Sequence, residues 1–307
     1  MGGDGRQTGI GADYMQQEKK NNRGTVSVSV VIPVFNEESV IGDIVGEVRS
    51  RYPDYEVIVV DDGSTDQTAA VAAHAGAVVV RHPYNVGNGA AVKTGIRTAR
   101  GVLIVLMDGD GQHDPADIWS LLKEADGFDL VVGARKSKGH ASVWRRFANW
   151  CYNCLATYVT NFPVKDLTSG FRVFHRDTVL QFLNLFPNTF SYPTTSTLAY
   201  LRSGHTVRYV SISARPRVGK SKIRLLRDGY RFLLILMRIA TLFSPLKIFL
   251  PISFFFCGTG MAYYGYTFFA YHRFTNMSAL LLSVSVMVFL LGLISEQITQ
   301  LRYDRVG

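Results

Sequence analysis

Apolar, β-branched runs alternate with helical patterns over the first two-thirds of the chain. SVSVVIPVF (27–35) is continuously apolar and stops at a turn, which predicts a strand buried on both faces. Val40, Ile41, Ile44, Val45 and Val48 then recur at helical spacing and predict an amphipathic helix. YEVIVVDDG (55–63) predicts a second strand, and TDQTAAVAAHAG a helix stopped at Gly76. AVVVRH (77–82), GVLIVLMD (101–108) and DLVVGAR (129–135) predict three more strands, separated by helices over 88–100 and in PADIWSLLKEA. This alternation predicts an α/β domain, a Rossmann-like, mostly parallel sheet with helices on both faces. FRVFHRD predicts a short strand, 193–203 a further helix and TVRYVSISA (206–214) another strand.

The pattern changes in the last third. In 224–244, Arg224, Arg227, Arg231 and Arg238 fall on one helical face opposite Leu, Ile and Phe, which predicts an amphipathic helix lying in a membrane interface. A soluble core helix is the competing reading. Residues 248–271 carry no charge, and 277–295 are equally apolar. Each run is long enough to cross a bilayer core, and the short linker YHRFTN makes them a hairpin. Lys247 and the basic segment precede the first span, and Arg302 and Arg305 follow the second. The positive-inside rule therefore puts both ends and the α/β domain on the cytoplasmic side of an inner membrane. Glu296 and Gln297 close the second span as interfacial residues. The expected division is a disordered tail (1–24) without a signal-peptide core, an α/β domain (25–223), a juxtamembrane segment (224–246), two spans (247–299) and a cytoplasmic tail (300–307).

The net charge of +9 sharpens this picture, because many basic residues cluster between Arg202 and Lys247 rather than among aromatics on a folded face. That favours an anionic membrane surface or phosphate ligands and excludes nucleic acid. The three cysteines, Cys151, Cys154 and Cys257, imply no disulfide framework, and the lone CxxC lacks a redox or zinc setting.

In a parallel α/β sheet, ligands bind beyond the carboxyl ends of the strands. The polar clusters at Pro33–Glu37, Asp61–Asp62, Asp108–Asp110 and Arg135 all end strands, so they converge on one edge. Asp108 and Asp110 in LMDGDGQHDP repel each other unless a cation lies between them, and Gln112 adds a carbonyl oxygen. Mg²⁺ or Mn²⁺ suits such oxygen ligands and is often completed by substrate phosphates. Asp61 can accept from a nucleobase N–H or a ribose hydroxyl, and Asp62 can cap the following turn. NVGNGAAVKTG fits neither GxGxxG nor the P-loop spacing. Arg135, Arg145, Arg146, Arg172, Arg217, Lys220 and Lys222 lie in or beside loops near the same edge. They exceed what one nucleotide diphosphate needs and point to a second, phosphate-bearing substrate, with a lipid suggested by the hairpin.

VVIPVFNEE, VIVVDDGSTDQT, NVGNGAAVKTGI, LMDGDGQHDP, VVGAR and KDLTSGFRVF, in this order, resemble the motifs of family 2, GT-A fold glycosyltransferases, above all the polyprenyl-phosphate glycosyltransferases. The resemblance covers about 27–225 and implies transfer of one sugar, with inversion, from a UDP- or GDP-sugar to a polyprenyl phosphate. It implies that Pro33, Asn36, Glu37, Asp61, Asp62 and Lys93 serve the nucleotide, and that Asp108, Asp110 and Gln112 hold Mg²⁺ or Mn²⁺ with the donor diphosphate. It implies that Arg135 and the Arg145–Arg146 pair hold the acceptor phosphate and that Asp166, Ser169 and Arg172 shape the acceptor side, with Asp166 as a catalytic base the minor alternative. Arg217, Ser221 and Lys222 would lie in a loop closing over the phosphates. A departure from the pattern is Gly109 and Gly111 in DGDGQ, where many relatives carry Ala and Leu. Homo-oligomers, with a tetramer as the guess, are implied too, and Gly258, Gly260 and Gly265 offer close packing. A processive polysaccharide synthase would carry QxxRW and more spans. A non-catalytic scaffold that binds nucleotide sugars would not need every acid and arginine kept.

Overall fold

The structure is a computed structural model that describes residues 27–135, 150–212 (except 152, 155, 159, 189 and 190) and 244–304. The predicted amphipathic segment lies outside the described residues, as do Arg145, Arg146, Arg217, Lys220, Ser221 and Lys222.

Four strand–helix repeats and a fifth strand open the domain: β1 (Val28–Val34), α1 (Ile41–Arg51), β2 (Glu56–Asp61), α2 (Thr68–His74), β3 (Val78–Arg81), α3 (Asn88–Thr98), β4 (Leu103–Leu106), α4 (Asp117–Ala125) and β5 (Leu130–Arg135). β6 (Arg172–His175), α5 (Arg176–Phe182), α6 (Tyr192–Arg202) and β7 (Val207–Ile212) complete it. The seven strands stand in the order β3-β2-β1-β4-β6-β5-β7. All run parallel except β6, which is antiparallel to both β4 and β5. Because β6 runs the other way, its first residues lie at the carboxyl ends of its neighbours: Arg172 pairs with Leu106 and with Val132. The segment leading into β6 is therefore delivered to the ligand edge.

Alternate strand residues feed two cores. Val31, Ile58 and Val60 pack with α3, α5 and α6 on one face, while Val30, Ile32, Val57 and Val59 pack with α1, α2 and α4 on the other. Burial on both faces explains the unbroken apolar runs. Pro33 is tolerated in β1 because the β1–β4 ladder ends at Val31↔Leu106. Its missing N–H faces that side, past the last pair. Beyond this point the chain after β4 is free to splay, and the acidic loop begins.

Two helices follow, α7 (Pro245–Tyr271) and α8 (Asn276–Asp304), both long and apolar enough to cross a membrane. Large side chains such as Phe254, Phe255, Phe269 and Met287 lie bare on their outer faces, Phe269 being 83% exposed. Such a surface is unfavourable in water and natural in lipid. Between the helices, Ser253 and Ser285 each donate to the other's backbone carbonyl at 2.9 Å, which satisfies both hydroxyls away from water. The glycines divide differently from the sequence reading. Gly260 faces Leu281 and Leu282 inside the hairpin, whereas Gly258 and Gly265 point into open space.

The hairpin is tied to the α/β domain at its base. Lys247 Nζ donates to the Tyr158 carbonyl and to Asn161 Oδ1, both at 2.8 Å, and Tyr158 OH donates back to the Lys247 carbonyl at 3.0 Å. Glu296, expected to be merely interfacial, pairs with Arg202 of α6 at 3.2 Å and accepts from the Leu246 N–H at 3.3 Å. It thus satisfies one orphan donor in the first turn of α7 while fixing α8 to the domain.

A Cβ on Gly292 would lie 2.7 Å from Phe249 Cβ, and one on Gly258 would meet nothing. Gly292→Ala is expected to lower the thermal midpoint in detergent by several degrees, in line with overpacking costs of about 1–3 kcal/mol. Gly258→Ala should leave it unchanged. Thermal unfolding of the two variants side by side checks this.

Candidate active site

The loop after β1 is stitched to the loop after β2. Asn36 adopts φ 55°, a left-handed conformation that asparagine tolerates better than most residues. Its N–H donates to Ser64 Oγ at 2.9 Å, and its Oδ1 accepts from the Thr65 N–H at 2.9 Å. The Glu37 N–H donates to Thr68 Oγ1 at 2.9 Å. These bonds shape the rim, so the side-chain carbonyl of Asn36 is already engaged.

The two aspartates that end β2 part company. Asp61 is fully buried; its Oδ1 accepts from the Ser64 N–H at 2.9 Å. Arg81 Nε lies 3.2 Å from Oδ2 but not in hydrogen-bonding geometry, so this buried oxygen has no donor among the described residues. A buried acceptor without a donor is costly, and a ligand N–H or hydroxyl would relieve it. Asp62 is committed elsewhere. It accepts from the Val86 N–H (3.0 Å), the Gly87 N–H (2.8 Å) and His82 Nδ1 (2.8 Å), and so holds the β3–α3 loop. The Lys93 ammonium donates to the Phe186 carbonyl and to Asn188 Oδ1, clamping α3 to the loop before α6. Burial, then the charge of Arg97, lowers its pKa.

Asp108 is the centre of the acidic loop. Its Oδ2 lies 3.6 Å from Nε2 of buried His113, and its Oδ1 3.5 Å from the buried Tyr192 hydroxyl. Burial pushes its carboxyl up, but His113, Arg135 and Tyr192 outweigh that and hold it below the usual range. Gly170 leaves the space it occupies: a Cβ there would sit 2.2 Å from Oδ2. Asp110 accepts from the Gln112 N–H at 3.2 Å, a turn that Gly111 permits at φ 75°. Gly109 has a packing reason too, since a Cβ would meet Val34 Cγ1 at 2.4 Å.

Arg135 faces the acids from the end of β5. Its Nε and Nη2 form a fork on Asp166 at 3.0 and 3.2 Å, and Nη2 also donates to Thr168 Oγ1 at 2.7 Å. Burial lowers the guanidinium's pKa, but Asp166, then Asp108 and Asp110, raise it further. Burial likewise pushes the Asp166 carboxyl up, and Arg135 and the backbone donors bring it below its ordinary value. Ser169 and Arg172 are fully buried. Arg172 donates to the Ser169 and Leu167 carbonyls and to Ser196 and Thr197, with no carboxylate among them. As placed, neither can touch an acceptor directly. Buried in this way, they stand in the wall of the edge rather than on its surface.

The structure therefore brings Pro33, Asn36, Glu37, Asp61, Asp108, Asp110, Gln112, Arg135 and Asp166 to one edge. Among the described residues no group of three or more His, Cys, Asp or Glu side chains could hold a metal by itself. Two carboxylates and an amide fit a hard cation that keeps places for phosphate oxygens, as Mg²⁺ or Mn²⁺ does. Sequence reading assigned no role to His113, Thr168, Gly170 and Tyr192. Gly170 alone carried a signal, as a glycine inside TSG.

Comparison with known proteins agrees with this geometry. Residues 29–182 match the family model "Glycosyl transferase family 2", and residues 244–301 match "GtrB C-terminal hairpin". Dodecaprenyl-phosphate galacturonate synthase of Rhizobium johnstonii is 36% identical over 185 residues, which are 54% of this chain and 55% of that protein. The match thus spans about half of this relative's length. Glycosyltransferase AglJ of Haloferax volcanii is 27% identical over 91% of this chain and 96% of its own length. Among solved structures, glucosyl-3-phosphoglycerate synthase of Mycobacterium tuberculosis, in complex with Mn²⁺, UDP and glucosyl-3-phosphoglycerate, shares the fold at 19% identity with a TM-score of 0.58. The match covers 77% of this chain and 85% of that one.

Gly170→Ala is expected to force the Asp108 carboxylate out of its place and to lower turnover by at least about 100-fold, the scale of a 1 Å misplacement at a reacting site. Circular dichroism of the variant alongside its rate of nucleoside diphosphate release checks the outcome.

Proposed function

The chain belongs to glycosyl transferase family 2, and from that premise we propose that it moves one sugar from a nucleotide diphosphate sugar to a polyprenyl phosphate in the membrane that holds its C-terminal hairpin. The observation that carries this reading is the carboxylate pair Asp108–Asp110 facing Arg135 on a domain docked through Glu296 and Lys247 to a lipid-facing hairpin. A soluble acceptor would need no such anchor.

Asp61 supplies an unsatisfied buried acceptor for the nucleoside, within the rim built by Pro33, Asn36 and Glu37. Asp108, Asp110 and Gln112 would hold Mg²⁺ or Mn²⁺, which would supply positive charge to the leaving diphosphate. An oxygen of the acceptor phosphate bonds to the anomeric carbon as the bond from that carbon to the diphosphate oxygen breaks, and nucleoside diphosphate leaves with inversion. A phosphate monoester is largely ionised near neutral pH, so no strong base is required. Asp166, forked to Arg135 with its pKa lowered, is suited to orienting that arginine and is a weak base. Arg145, Arg146, Arg217, Ser221 and Lys222 are assigned to the acceptor phosphate and the closing loop. The catalytic domain faces the cytoplasm of an inner membrane, and the outward Gly258 and Gly265 offer surface for self-association into a homo-oligomer.

Purified protein in detergent with Mn²⁺ and undecaprenyl phosphate should release nucleoside diphosphate from one member of a panel of UDP- and GDP-sugars, and only when lipid is present. Release at the same rate without lipid would overturn the acceptor. Asp110→Ala should reduce the lipid-dependent rate by at least about 100-fold, a loss typical of removing transition-state charge stabilisation. The pH profile separates the roles further. A carboxyl whose pKa is lowered on folding stays ionised down to acid pH, so Asp166 contributes no titration near neutrality. The rate should fall with protonation of the acceptor phosphate near about pH 6, and Asp166→Asn should keep that acid limb while lowering the plateau. A limb that vanished in the variant would make Asp166 the base.

A further inference from the structure

α6 has the sequence YPTTSTLAYLR, and every residue from Tyr192 to Tyr200 is buried. Four consecutive hydroxyl residues inside a core are not what apolar packing calls for. Their bonds explain them in part. Ser196 and Thr197 donate to the Pro193 carbonyl at 3.0 and 3.1 Å and accept from Arg172 Nη1 at 3.0 and 2.7 Å. The middle of the helix thus satisfies a buried cation. Its first residue turns to the half-buried Asp108.

The Tyr192 ring is 1% exposed, and its hydroxyl reaches Asp108 Oδ1 at 3.5 Å, the outer limit of a hydrogen bond. A phenol is protonated at neutral pH and so serves as the donor in this contact. At the other oxygen, Oδ2, His113 Nε2 stands 3.6 Å away, and Gly170 leaves the carboxylate its space. Asp108 is therefore gripped from two directions by groups that are not cation ligands themselves. A ligand fixed in advance loses less freedom when the cation arrives, and groups behind a ligand commonly set metal affinity by about 10- to 100-fold.

We propose that Tyr192 is a positioning residue of the cation site, its hydroxyl holding the Asp108 carboxylate in the orientation in which it takes Mg²⁺ or Mn²⁺. This rests on the reading of Asp108 and Asp110 as the cation's protein ligands. α6 thereby has two tasks, closing the charge of Arg172 and aiming that of Asp108.

The test is a Mn²⁺ titration of the full-length protein in detergent, followed by the electron paramagnetic resonance of free Mn²⁺. It is run with saturating UDP or GDP, whichever the donor panel selects. Tyr192→Phe keeps the ring and removes the hydroxyl. Its Mn²⁺ Kd should rise about 3- to 10-fold, the lower part of the range because the contact is long, while nucleotide affinity measured in EDTA stays at the wild-type value. Tyr200→Phe is the control, since that buried hydroxyl on the same helix has no partner among the described residues. It should bind Mn²⁺ as the wild type does. A Tyr192→Phe Kd within twofold of wild type would overturn the proposal and leave the Asp108–Asp110 site standing. An equal loss in Tyr200→Phe would make the effect one of helix packing and would overturn it as well. Absence of Mn²⁺ binding in the wild type would remove the underlying site and the proposal together.

Discussion

Asp108 must keep its negative charge at a position where burial works against it, and much of the ligand edge is arranged around that demand. His113 and Tyr192 face its two oxygens, Arg135 supplies opposing charge from β5, and Gly170 gives up a side chain to leave room. Each comes from a different part of the chain. Arg135 in turn is held by Asp166 and Thr168, so the positive partner is as fixed as the acid it faces. Only β6 running antiparallel between β4 and β5 puts the segment 166–171 beside the ends of both strands. The single reversed strand is what converts a row of strand ends into an enclosed site.

The same helix that closes this site also reaches the membrane anchor. α6 starts at Tyr192, beside Asp108, and ends at Arg202, which pairs with Glu296 on α8. Lys247 makes a second attachment through Tyr158 and Asn161. A carboxylate at the base of a membrane hairpin is expensive unless paired, and here its partners are an arginine of the catalytic domain and the first turn of the other span. The α/β domain is thereby attached to the hairpin at two points.

Much of the fold was legible in the sequence, because burial on both sheet faces writes long apolar runs. The five strands expected at 27–35, 55–63, 77–82, 101–108 and 129–135 appear at those places, one or two residues shorter at most ends. The convergence of polar strand ends on one edge followed from parallel topology alone. Direction and order were not legible. FRVF reads as a strand either way, and nothing local says that it enters between β4 and β5. Asp61 and Asp62 look equivalent as adjacent acids, yet alternation along β2 sends one toward the ligand edge and the other into the β3–α3 loop. The burial of Arg172 was not legible either, because the hydroxyls of Ser196 and Thr197 that help absorb its charge lie on a helix more than twenty residues away. The role of Tyr192 is invisible in YPTTSTLAY, since only packing brings it to Asp108.

The account rests on an acidic pair that is an incomplete cation site until a nucleotide's phosphates complete it. Mn²⁺ binding to the wild-type protein, measured calorimetrically with and without saturating nucleoside diphosphate, addresses this directly. Binding at least about tenfold tighter with the nucleotide, and matched by equally tighter nucleotide binding in the presence of Mn²⁺, is the predicted result. Equal Mn²⁺ affinity in both conditions would contradict it, because the cation would then owe nothing to the donor's phosphates.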